Sequence, residues 1–345
     1  MVERKQLDLV LLKFIYILIL LFSFTFAFSQ ENFVTREKLS RELSHPSIEG
    51  SFAKTFAPPI PDSSFPNKKR IWLVTGAQAG LWVGSFIALN QLWYADYPRT
   101  SFHFFNDNRE WNQMDKLGHV FSTFQISNIS SKMWMWAGVS HKKSVLYGAI
   151  AGIAYQSIIE IQDGYSAEWG FSTADMGSNF LGAAMFVAQE LTWEEKRIRL
   201  KLSFTNHNYP KDVTNRYEQL FGTSFVERYL KDYNSQTYWM SVNPRSFFKN
   251  SKFPKWLNIA TGYSSDLLLG GRENRWTDKQ GVFFDRTDIP RTRRFYLSPD
   301  VDFTRIPTKS KFLKTIFLLM GGIKIPAPTL ELNSKGNLRG HWFYF

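Results

Sequence analysis

The stretch SVLYGAIAGIAYQSIIEIQD, residues 144–163, combines a long apolar run with two carboxylates near its far end. Gly152, Gln156, Glu160 and Asp163 recur at i, i+4, i+8 and i+11, a spacing that places them on one face of an α-helix. Acidic side chains near the C-terminus of a helix oppose its dipole, so a cation or an ion pair must offset them. The segment therefore predicts a helix with a functional or ion-paired polar end.

Three further segments, 71–94, 115–138 and 173–193, predict helices that pack with 144–163. Small residues such as Gly182 let helix backbones approach closely. The short loops between the last three segments favour antiparallel neighbours. The start of 115–138, the end of 144–163 and the start of 173–193 therefore lie at one end of a helical bundle.

That end of the bundle collects polar side chains from three segments. Asp115 and His119 share one helical face, and Asp175 and Asn179 share another. The residues that we expect to meet there are Asp115, Lys116, His119, Glu160, Asp163, Asp175 and Asn179, with Trp169 from a connecting loop.

One imidazole and several carboxylates suit either a divalent cation or a general acid/base pair. The candidate metal ligands are Asp115, His119, Glu160 and Asp175. The candidate catalytic residues are His119, Glu160, Asp163 and Asp175, and the candidate binding residues are Lys116, Asn179 and Trp169. A structural role is the alternative for each residue alone: Asp115 and Asp175 stand in first helical turns, where carboxylates complement the helix dipole. The cofactor stays open, with a divalent cation as the candidate.

No established catalytic signature accompanies these residues. The metalloprotease motif His-Glu-x-x-His is absent, and no Gly-x-Ser-x-Gly elbow, Walker loop or dinucleotide fingerprint stands at a strand–helix junction. The absence of Cys excludes disulfides, Cys-ligated zinc, iron–sulfur clusters and a Cys nucleophile, and it leaves no lipobox cysteine for lipid attachment. Whether the protein is an enzyme therefore stays open.

Residues 1–29 have the pattern of a secretory signal peptide. Arg4, Lys5 and Lys13 precede an apolar run of about 15 residues, shorter than the ~20 that cross a bilayer. Small residues occupy the −3 and −1 positions of a cleavage site after Ser29. An uncleaved N-terminal anchor is the alternative, and either reading exports the rest of the chain.

Four parts are predicted: a signal peptide over 1–29, a Pro-containing linker over 30–70, the helical bundle over 71–195 and a basic, strand-rich domain over 196–345. Basic residues flank the helices on one side of the bundle. The positive-inside rule would place that side in the cytoplasm, whereas a cleaved signal peptide places it outside. Because the later helices are only moderately apolar, we expect membrane association on the periplasmic side, at the outer rather than the inner membrane.

Charge divides the 345 residues into two unlike halves. Residues 1–200 hold 19 basic and 18 acidic side chains, while residues 201–345 hold 23 and 12. The basic run Arg291–Arg294 and the cluster over 309–314 suit anionic lipid headgroups or envelope polymers, with a solvated basic face as the alternative. Because the chain is exported, we expect no nucleic acid as partner. An envelope protein is a further candidate.

The C-terminal half alternates apolar and polar residues. Within 295–306, Leu297 and Val301 share one face while Ser298 and Asp300 share the other. Further predicted elements are a hairpin over 329–345 with its turn at 334–337, a strand over 256–269, a helix over 212–233 and a short helix over 311–320. The predicted fold class is α+β: a mainly α-helical bundle followed by a smaller, strand-containing C-terminal domain.

The polar positions resemble a known family. The order Asp-Lys-x-x-His, Glu-x-x-Asp-Gly and Phe-Ser-x-x-Asp-Met resembles the YfiM-like family of predicted envelope lipoproteins. These motifs stand here at Asp115, Lys116, His119, Glu160, Asp163, Gly164, Phe171, Ser172, Asp175 and Met176. Asp175, Asn179 and Gly182 also match the Asp-x-x-x-Asn-x-x-Gly of VanZ-like membrane proteins, to which the chain is distantly similar.

The resemblance covers residues 71–195 and implies an envelope protein without an established activity. VanZ-like proteins are linked to the response to glycopeptide antibiotics. This chain departs from both families: it has no lipoprotein Cys, lacks the Arg that VanZ-like proteins place before the Asp, and adds residues 201–345.

Together these observations predict an exported, membrane-associated cell-envelope protein with a structural or interaction role, in which the polar cluster is a buried network. The alternative is a metal-dependent or acid/base hydrolase that acts on lipid or peptidoglycan-linked substrates. A small-ligand or ion-binding module is the third hypothesis.

Overall fold

The computed structural model describes residues 66–94, 97–205, 207, 209–278 and 280–345. Their architecture is α+β, as predicted: a helical N-terminal region precedes a region built on an antiparallel sheet. The predicted signal peptide and residues 30–65 of the predicted linker lie outside the described residues.

Among the described residues, four long helices make up the N-terminal region: α1 Lys68–Leu89, α2 Met114–Trp136, α3 His141–Gly164 and α4 Thr173–Thr192. A π-helical turn, Asn90–Tyr94, continues α1. Each helix overlaps one of the four predicted segments. Because α2, α3 and α4 are joined by short connections and run antiparallel to their neighbours, the start of α2, the end of α3 and the start of α4 share one end of the bundle.

Small residues bring α2 into close contact with both neighbouring helices. A Cβ atom at Gly152 of α3 would lie 2.5 Å from Ser127 Oγ, and one at Gly182 of α4 would lie 2.4 Å from the Val120 carbonyl oxygen. Non-bonded atoms do not approach so closely, so only glycine fits at these positions. The predicted role of the small residues in close helix packing is confirmed.

The C-terminal region contains a six-stranded antiparallel sheet whose strand order is β1-β2-β3-β6-β7-β8. Its strands are β1 Ile198–Phe204, β2 Gln236–Val242, β3 Leu257–Asp266, β6 Thr292–Val301, β7 Ala327–Asn333 and β8 Leu338–Tyr344. A separate pair is formed by β4 Arg275–Thr277 and β5 Phe283–Asp285. The predicted hairpin at the end of the chain is confirmed as β7–β8, and Gly336 has the positive φ of 82° that its turn requires.

Short helices fill the connections between strands: α5 Thr214–Phe221, α6 Phe225–Lys231, α7 Pro244–Phe247 and α8 Lys311–Leu319. The prediction of one helix over 212–233 is wrong, because Gly222 takes a φ of 79° and ends α5. Ser224 then starts α6 with a capping box to Glu227.

The sheet docks on the bundle through β1. Leu200 joins a buried apolar core with Val120 and Phe124 of α2 and with side chains of α3 and α4. Gln125 Nε2 donates a hydrogen bond of 2.8 Å to the Leu200 carbonyl. Helix α2 is therefore in contact with α3, α4 and the sheet at once.

Substituting Gly182 tests whether close backbone approach holds α4 against α2. We expect Gly182→Ala to lower the free energy of unfolding by about 1–3 kcal/mol, because the new methyl group overlaps the Val120 carbonyl. Denaturant titration of purified protein measures the change.

Gly177→Ala is the matched control in the same helix, since a Cβ atom there meets nothing within 4 Å. It should leave stability unchanged or raise it by up to about 1 kcal/mol through helix propensity. Equal effects of the two substitutions would contradict the role assigned to Gly182.

Candidate functional site

His119 lies at the centre of the polar end of the bundle. Its Nε2 atom is 3.4 Å from Glu160 Oε1, 3.7 Å from Asp115 Oδ1 and 3.9 Å from Asp175 Oδ1. Three helices thus supply the acids that surround one ring nitrogen: Asp115 from α2, Glu160 from α3 and Asp175 from α4. The spatial convergence expected from the helix periodicity is present.

The other ring nitrogen orients the His119 ring. Its Nδ1 atom lies 3.0 Å from Asn179 Oδ1, which also accepts a hydrogen bond of 3.0 Å from the Thr123 hydroxyl. Because an amide oxygen only accepts, Nδ1 is the donor in this arrangement, and Nε2 is directed toward the three acids. A proton or a cation between Nε2 and the facing oxygens would satisfy both sides.

Lys116 supplies the positive charge nearest to the acids. Its ammonium is 2.7 Å from Asp107 Oδ2, 2.7 Å from Asp175 Oδ1 and 3.2 Å from Asp115 Oδ2. Burial alone would lower the pKa of Lys116, but Asp115 and Asp175 outweigh it and raise the pKa. Lys116 is therefore a charged, shared partner of three carboxyl groups.

Asp107 belongs to the site although helix periodicity did not reveal it. It lies in the loop before α2, where the Ser172 hydroxyl donates a hydrogen bond of 2.6 Å to its carboxylate. Burial alone would raise the pKa of Asp107, but hydrogen bonds with Asp175, Lys116 and Ser172 lower it. Such a loop residue has no periodic signal in the sequence.

The turn between this loop and α2 is held by the C-terminal region. Trp111, Asn112 and Gln113 have φ values of 47°, 50° and 62°, in the left-handed region that strains non-glycine residues. The Tyr263 hydroxyl donates a 2.6 Å hydrogen bond to the Asn112 carbonyl, and Arg293 donates one of 2.6 Å to Gln113 Oε1. Contacts from β3 and β6 therefore stabilise the turn that brings Asp107 back toward Lys116.

Tyr233 is the second residue that sequence reasoning missed. It lies between α6 and β2, and its hydroxyl donates a hydrogen bond of 2.9 Å to Asp115 Oδ1. Its sequence distance of 118 residues from Asp115 explains why no local pattern links the two. The site therefore joins the bundle to the C-terminal region.

Asp163 and Trp169 lie in a neighbouring group. The Tyr94 hydroxyl donates a hydrogen bond of 2.6 Å to Asp163 Oδ1, and the Trp169 ring packs edge-on against the Tyr94 ring at a centroid distance of 5.6 Å. Their predicted roles in catalysis and binding stay predictions.

Burial shifts the pKa values of three acids upward. Desolvation, followed by repulsion from neighbouring carboxylates, raises the pKa of Glu160 to about 9. Burial likewise raises the pKa of Asp163 to about 7 and that of Asp175 to about 10. The pKa of Asp115 is lowered instead, because the effects of His119 and Lys116 outweigh that of its burial. Without a further cation, protons offset the charge of the buried acids.

Glu160 keeps one oxygen unsatisfied. Its Oε2 atom accepts a hydrogen bond of 3.3 Å from the Ser172 backbone amide, whereas the buried Oε1 atom has no hydrogen-bond partner. The side chain is only 1% exposed, so water does not readily replace that partner. This oxygen is the one that faces His119 Nε2.

The raised pKa values predict a pH dependence of stability. Glu160, Asp163 and Asp175 hold protons more tightly in the folded than in the unfolded chain, so the stability they contribute is full below about pH 4 and is lost as pH rises through about 7 to about 10. We expect the free energy of unfolding, measured in chelator by denaturant titration, to fall over this range.

Asp163→Asn should remove the part of this decline that lies between about pH 4 and about pH 7. Glu190→Gln is the control, because the lowered pKa of Glu190 confines its contribution to acid pH. Stability that stays constant or increases from pH 5 to pH 9 would contradict the assignment.

Removing the shared ammonium tests the ion pairing. We expect Lys116→Met to lower the free energy of unfolding by about 3 kcal/mol at neutral pH, because it leaves buried carboxylates without their partner. The exposed Lys143→Met should change it by less than about 0.5 kcal/mol. Similar small effects for both variants in denaturant titrations would show that Lys116 is not essential to the cluster.

Residues 103–190 match the model of one family, described as a predicted periplasmic lipoprotein (DUF2279). The matched range spans α2, α3, α4 and the loop with Asp107, so it includes every acid around Lys116 and His119. No curated protein and no solved structure matches the chain significantly. None of the 345 residues is Cys, so the lipid attachment in that description has no cysteine here. The similarity supports an exported protein of the cell envelope whose activity is unknown.

Proposed function

We propose that the polar cluster binds one divalent cation and that the protein has a structural role in the cell envelope. In this proposal the cation holds the ends of α2, α3 and α4 together and, through Asp115 and Tyr233, fastens the C-terminal region to them. One observation carries the proposal: the unsatisfied, buried Glu160 Oε1 lies 3.4 Å from His119 Nε2, among the acids of α2 and α4. A cation between these atoms satisfies both.

The distances around His119 Nε2 support a metal site. The facing oxygens of Glu160, Asp115 and Asp175 lie 3.4–3.9 Å away. Ligands bound at about 2.0–2.1 Å to a tetrahedral zinc ion lie roughly 3.3 Å from one another. One ligand atom each of Asp115, His119 and Asp175 lies within 4.8 Å of the other two, so these three form the compact ligand set, with Glu160 Oε1 beside His119. One imidazole with carboxylate oxygens suits Zn²⁺ or Mn²⁺ better than Ca²⁺, which prefers oxygen ligands only.

The surrounding contacts also favour a metal site. A histidine that binds a metal through one nitrogen usually donates a hydrogen bond from the other, which fixes its orientation. Asn179 Oδ1 accepts that bond here, and Thr123 orients the Asn179 amide. The positive N-terminal ends of α2 and α4 stabilise the nearby Asp115 and Asp175.

Restricted access to the cluster favours a structural over a catalytic role. Glu160 and Asp175 have side chains only 1% and 5% exposed, and His119 is 13% exposed. A substrate needs an open coordination position on a catalytic metal. The hydrogen bond from Tyr233 to Asp115 connects the C-terminal region to the bundle, as a structural role requires.

A metal-dependent hydrolase is the second candidate, and one observation favours it. Asp115 is the most exposed ligand, at 24%, and a surface pocket of about 440 Å³ near the Asp107 loop is lined by Asn106, Asn108, Arg109 and Arg272. Two guanidinium groups in such a pocket suit an anionic substrate. Turnover of a phosphate monoester by the metal-loaded protein, lost in Asp115→Asn, would favour this candidate.

Within the envelope we propose the periplasmic side of the outer membrane. The predicted export of the chain and the family similarity support the periplasm. The YfiM-like and VanZ-like resemblance stays part of this proposal. What supports it is that Asp115, His119, Glu160 and Asp175, which carry its motifs, lie together in space.

Metal binding is the direct test. We expect the purified protein, stripped with chelator, to bind one Zn²⁺ or Mn²⁺ per chain in calorimetric titration and to unfold at a higher temperature with metal. A ligand at 100 times its Kd adds about 2.7 kcal/mol of stability. His119→Gln and Asp175→Asn should lose binding, and Asn179→Ala should weaken it by roughly 10–100-fold.

Glu190→Gln is the matched control for these variants. Glu190 is another buried acid of the bundle, paired with Lys196 and His141 at the opposite end, so its loss should leave metal binding unchanged. Circular dichroism verifies that each variant is folded. A folded wild-type protein that binds neither metal, or folded ligand variants that bind as wild type does, would overturn the proposal.

A further inference from the structure

The outward face of the six-stranded sheet is apolar. Large apolar side chains that are 42–84% exposed point away from the molecule on five successive strands, namely Met240, Ile259, Leu297, Leu330, Leu332 and Trp342. On β2, β3, β6 and β7 the residues that alternate with them include the buried Trp239, Ala260, Tyr296 and Thr329. The exposed face is therefore the apolar one, which reverses the pattern of a sheet with one face in water.

The inward face of the same sheet is polar. Lys201 and Asp300, whose side chains are fully buried, form an ion pair of 2.6 Å across the interior. Ser241 donates a hydrogen bond of 2.6 Å to Asp300, and Asn258 donates one of 2.8 Å to Ser241. Charged and polar groups are thus enclosed by the sheet and paired with one another there, whereas apolar groups lie outside.

The helices also carry large exposed apolar side chains. Trp72 and Val83 of α1, Ile150 of α3, and Phe180 and Leu181 of α4 are 53–75% exposed. By length and composition α1 and α3 could each cross a membrane, although core helices and signal sequences pass the same test. Large exposed apolar side chains in such numbers are typical of an interaction surface.

A basic and aromatic loop lies at one end of the sheet. The loop between β2 and β3 carries Arg245, Lys249, Lys252 and Lys255 without any acid, next to the exposed Phe248. Lysine and arginine beside aromatic rings are typical of the interface between a membrane and water.

The same end of the molecule carries the basic ends of the helices. At the start of the β2–β3 loop, the backbone amide of Asn243 donates a hydrogen bond of 2.9 Å to the backbone carbonyl of Arg197, which lies just after α4. At this end of the bundle, the backbone amide of Asn67, just before α1, donates a hydrogen bond of 3.0 Å to the backbone carbonyl of Ala137, just after α2. The β2–β3 loop, which carries no acid, therefore lies at the end of the bundle opposite the acidic cluster.

We propose that the outward face of the sheet contacts the acyl chains of a membrane and that the β2–β3 loop contacts anionic lipid headgroups. The enclosed polar interior and the apolar exterior are the arrangement of a sheet whose solvent is lipid. The basic loop is complementary in charge to anionic lipid. The basic loop would repel the same loop on a second copy of this chain. Self-association through this end of the molecule is therefore not expected.

The predicted headgroup run Arg291–Arg294 is engaged within the chain. Arg291 donates a hydrogen bond of 2.7 Å to the Gly271 carbonyl, Arg293 contacts the turn before α2, and Arg294 pairs with Asp266. The β2–β3 loop, rather than this run, therefore carries the proposed headgroup contact.

Single-cysteine variants test the acyl-chain contact, because the chain has no other thiol. Nitroxide labels are placed at Leu297→Cys and Leu330→Cys on the outward face and at Lys335→Cys in the exposed β7–β8 turn. The full protein is reconstituted in vesicles of phosphatidylethanolamine and phosphatidylglycerol. Relaxation of each label by oxygen, which concentrates in hydrocarbon, is compared with relaxation by a water-soluble nickel chelate.

The ratio of oxygen to nickel relaxation should be severalfold higher at the two outward positions than at Lys335→Cys. Equal ratios at all three positions would show that the face lies in water. Outward labels shielded from both reagents would show that protein covers the face. Either of these results overturns the acyl-chain contact.

Charge reversal tests the headgroup contact. The triple variant Lys249→Glu, Lys252→Glu and Lys255→Glu should bind phosphatidylglycerol-containing vesicles at least severalfold more weakly and phosphatidylcholine vesicles as wild type does. Lys335→Glu, an exposed lysine outside the loop, is the control and should bind both as wild type does. Unchanged binding of the triple variant to anionic vesicles overturns this part of the proposal.

Discussion

Buried carboxylates that share too few cations are the constraint on which this structure depends. Asp107, Asp115 and Asp175 come from a loop and two helices, and all three lie beside the Lys116 ammonium. Burying a charge costs several kcal/mol unless it is paired, so these segments come together only where Lys116 and His119 lie among the acids. Close packing of α2 against α3 and α4, which requires glycine at the contacts, brings the acids close to Lys116 and His119. Helix packing and charge compensation are therefore two aspects of one arrangement.

The sequence predicts the helical part of the site because helix periodicity fixes which side chains share a face. Asp115 and His119 on α2, and Asp175 and Asn179 on α4, follow from spacing alone, and short loops are enough to bring these helices together. Asp107 could not be predicted in the same way. Its position depends on the left-handed turn before α2, which long-range bonds from β3 and β6 stabilise. Residues placed by tertiary contacts leave no local pattern to recognise.

The sheet shows a different limit of sequence reasoning. The alternation in 295–306 correctly separates Leu297 from Ser298 and Asp300, and the final hairpin with its turn at 334–337 follows from composition. Alternation does not say which face is buried, because that depends on the surrounding solvent. In water the apolar face turns inward, whereas here Asp300 is enclosed and Leu297 is exposed. The break at Gly222 was missed for a simpler reason: apolar spacing continued through it while the backbone turned.

An apolar exterior changes what can hold the molecule together. If lipid covers the outward face, exposing apolar side chains costs little, and burying them stabilises the fold less than it would in water. Close packing around small residues and internally satisfied polar groups must then supply more of the stability. Inside the sheet, the ion pair of Lys201 with Asp300 is such a stabilising contact. Where the bundle meets the C-terminal region, the cluster around Lys116 supplies others. On this view an unsatisfied oxygen at Glu160 is costly, and a bound cation that satisfies it contributes directly to the fold.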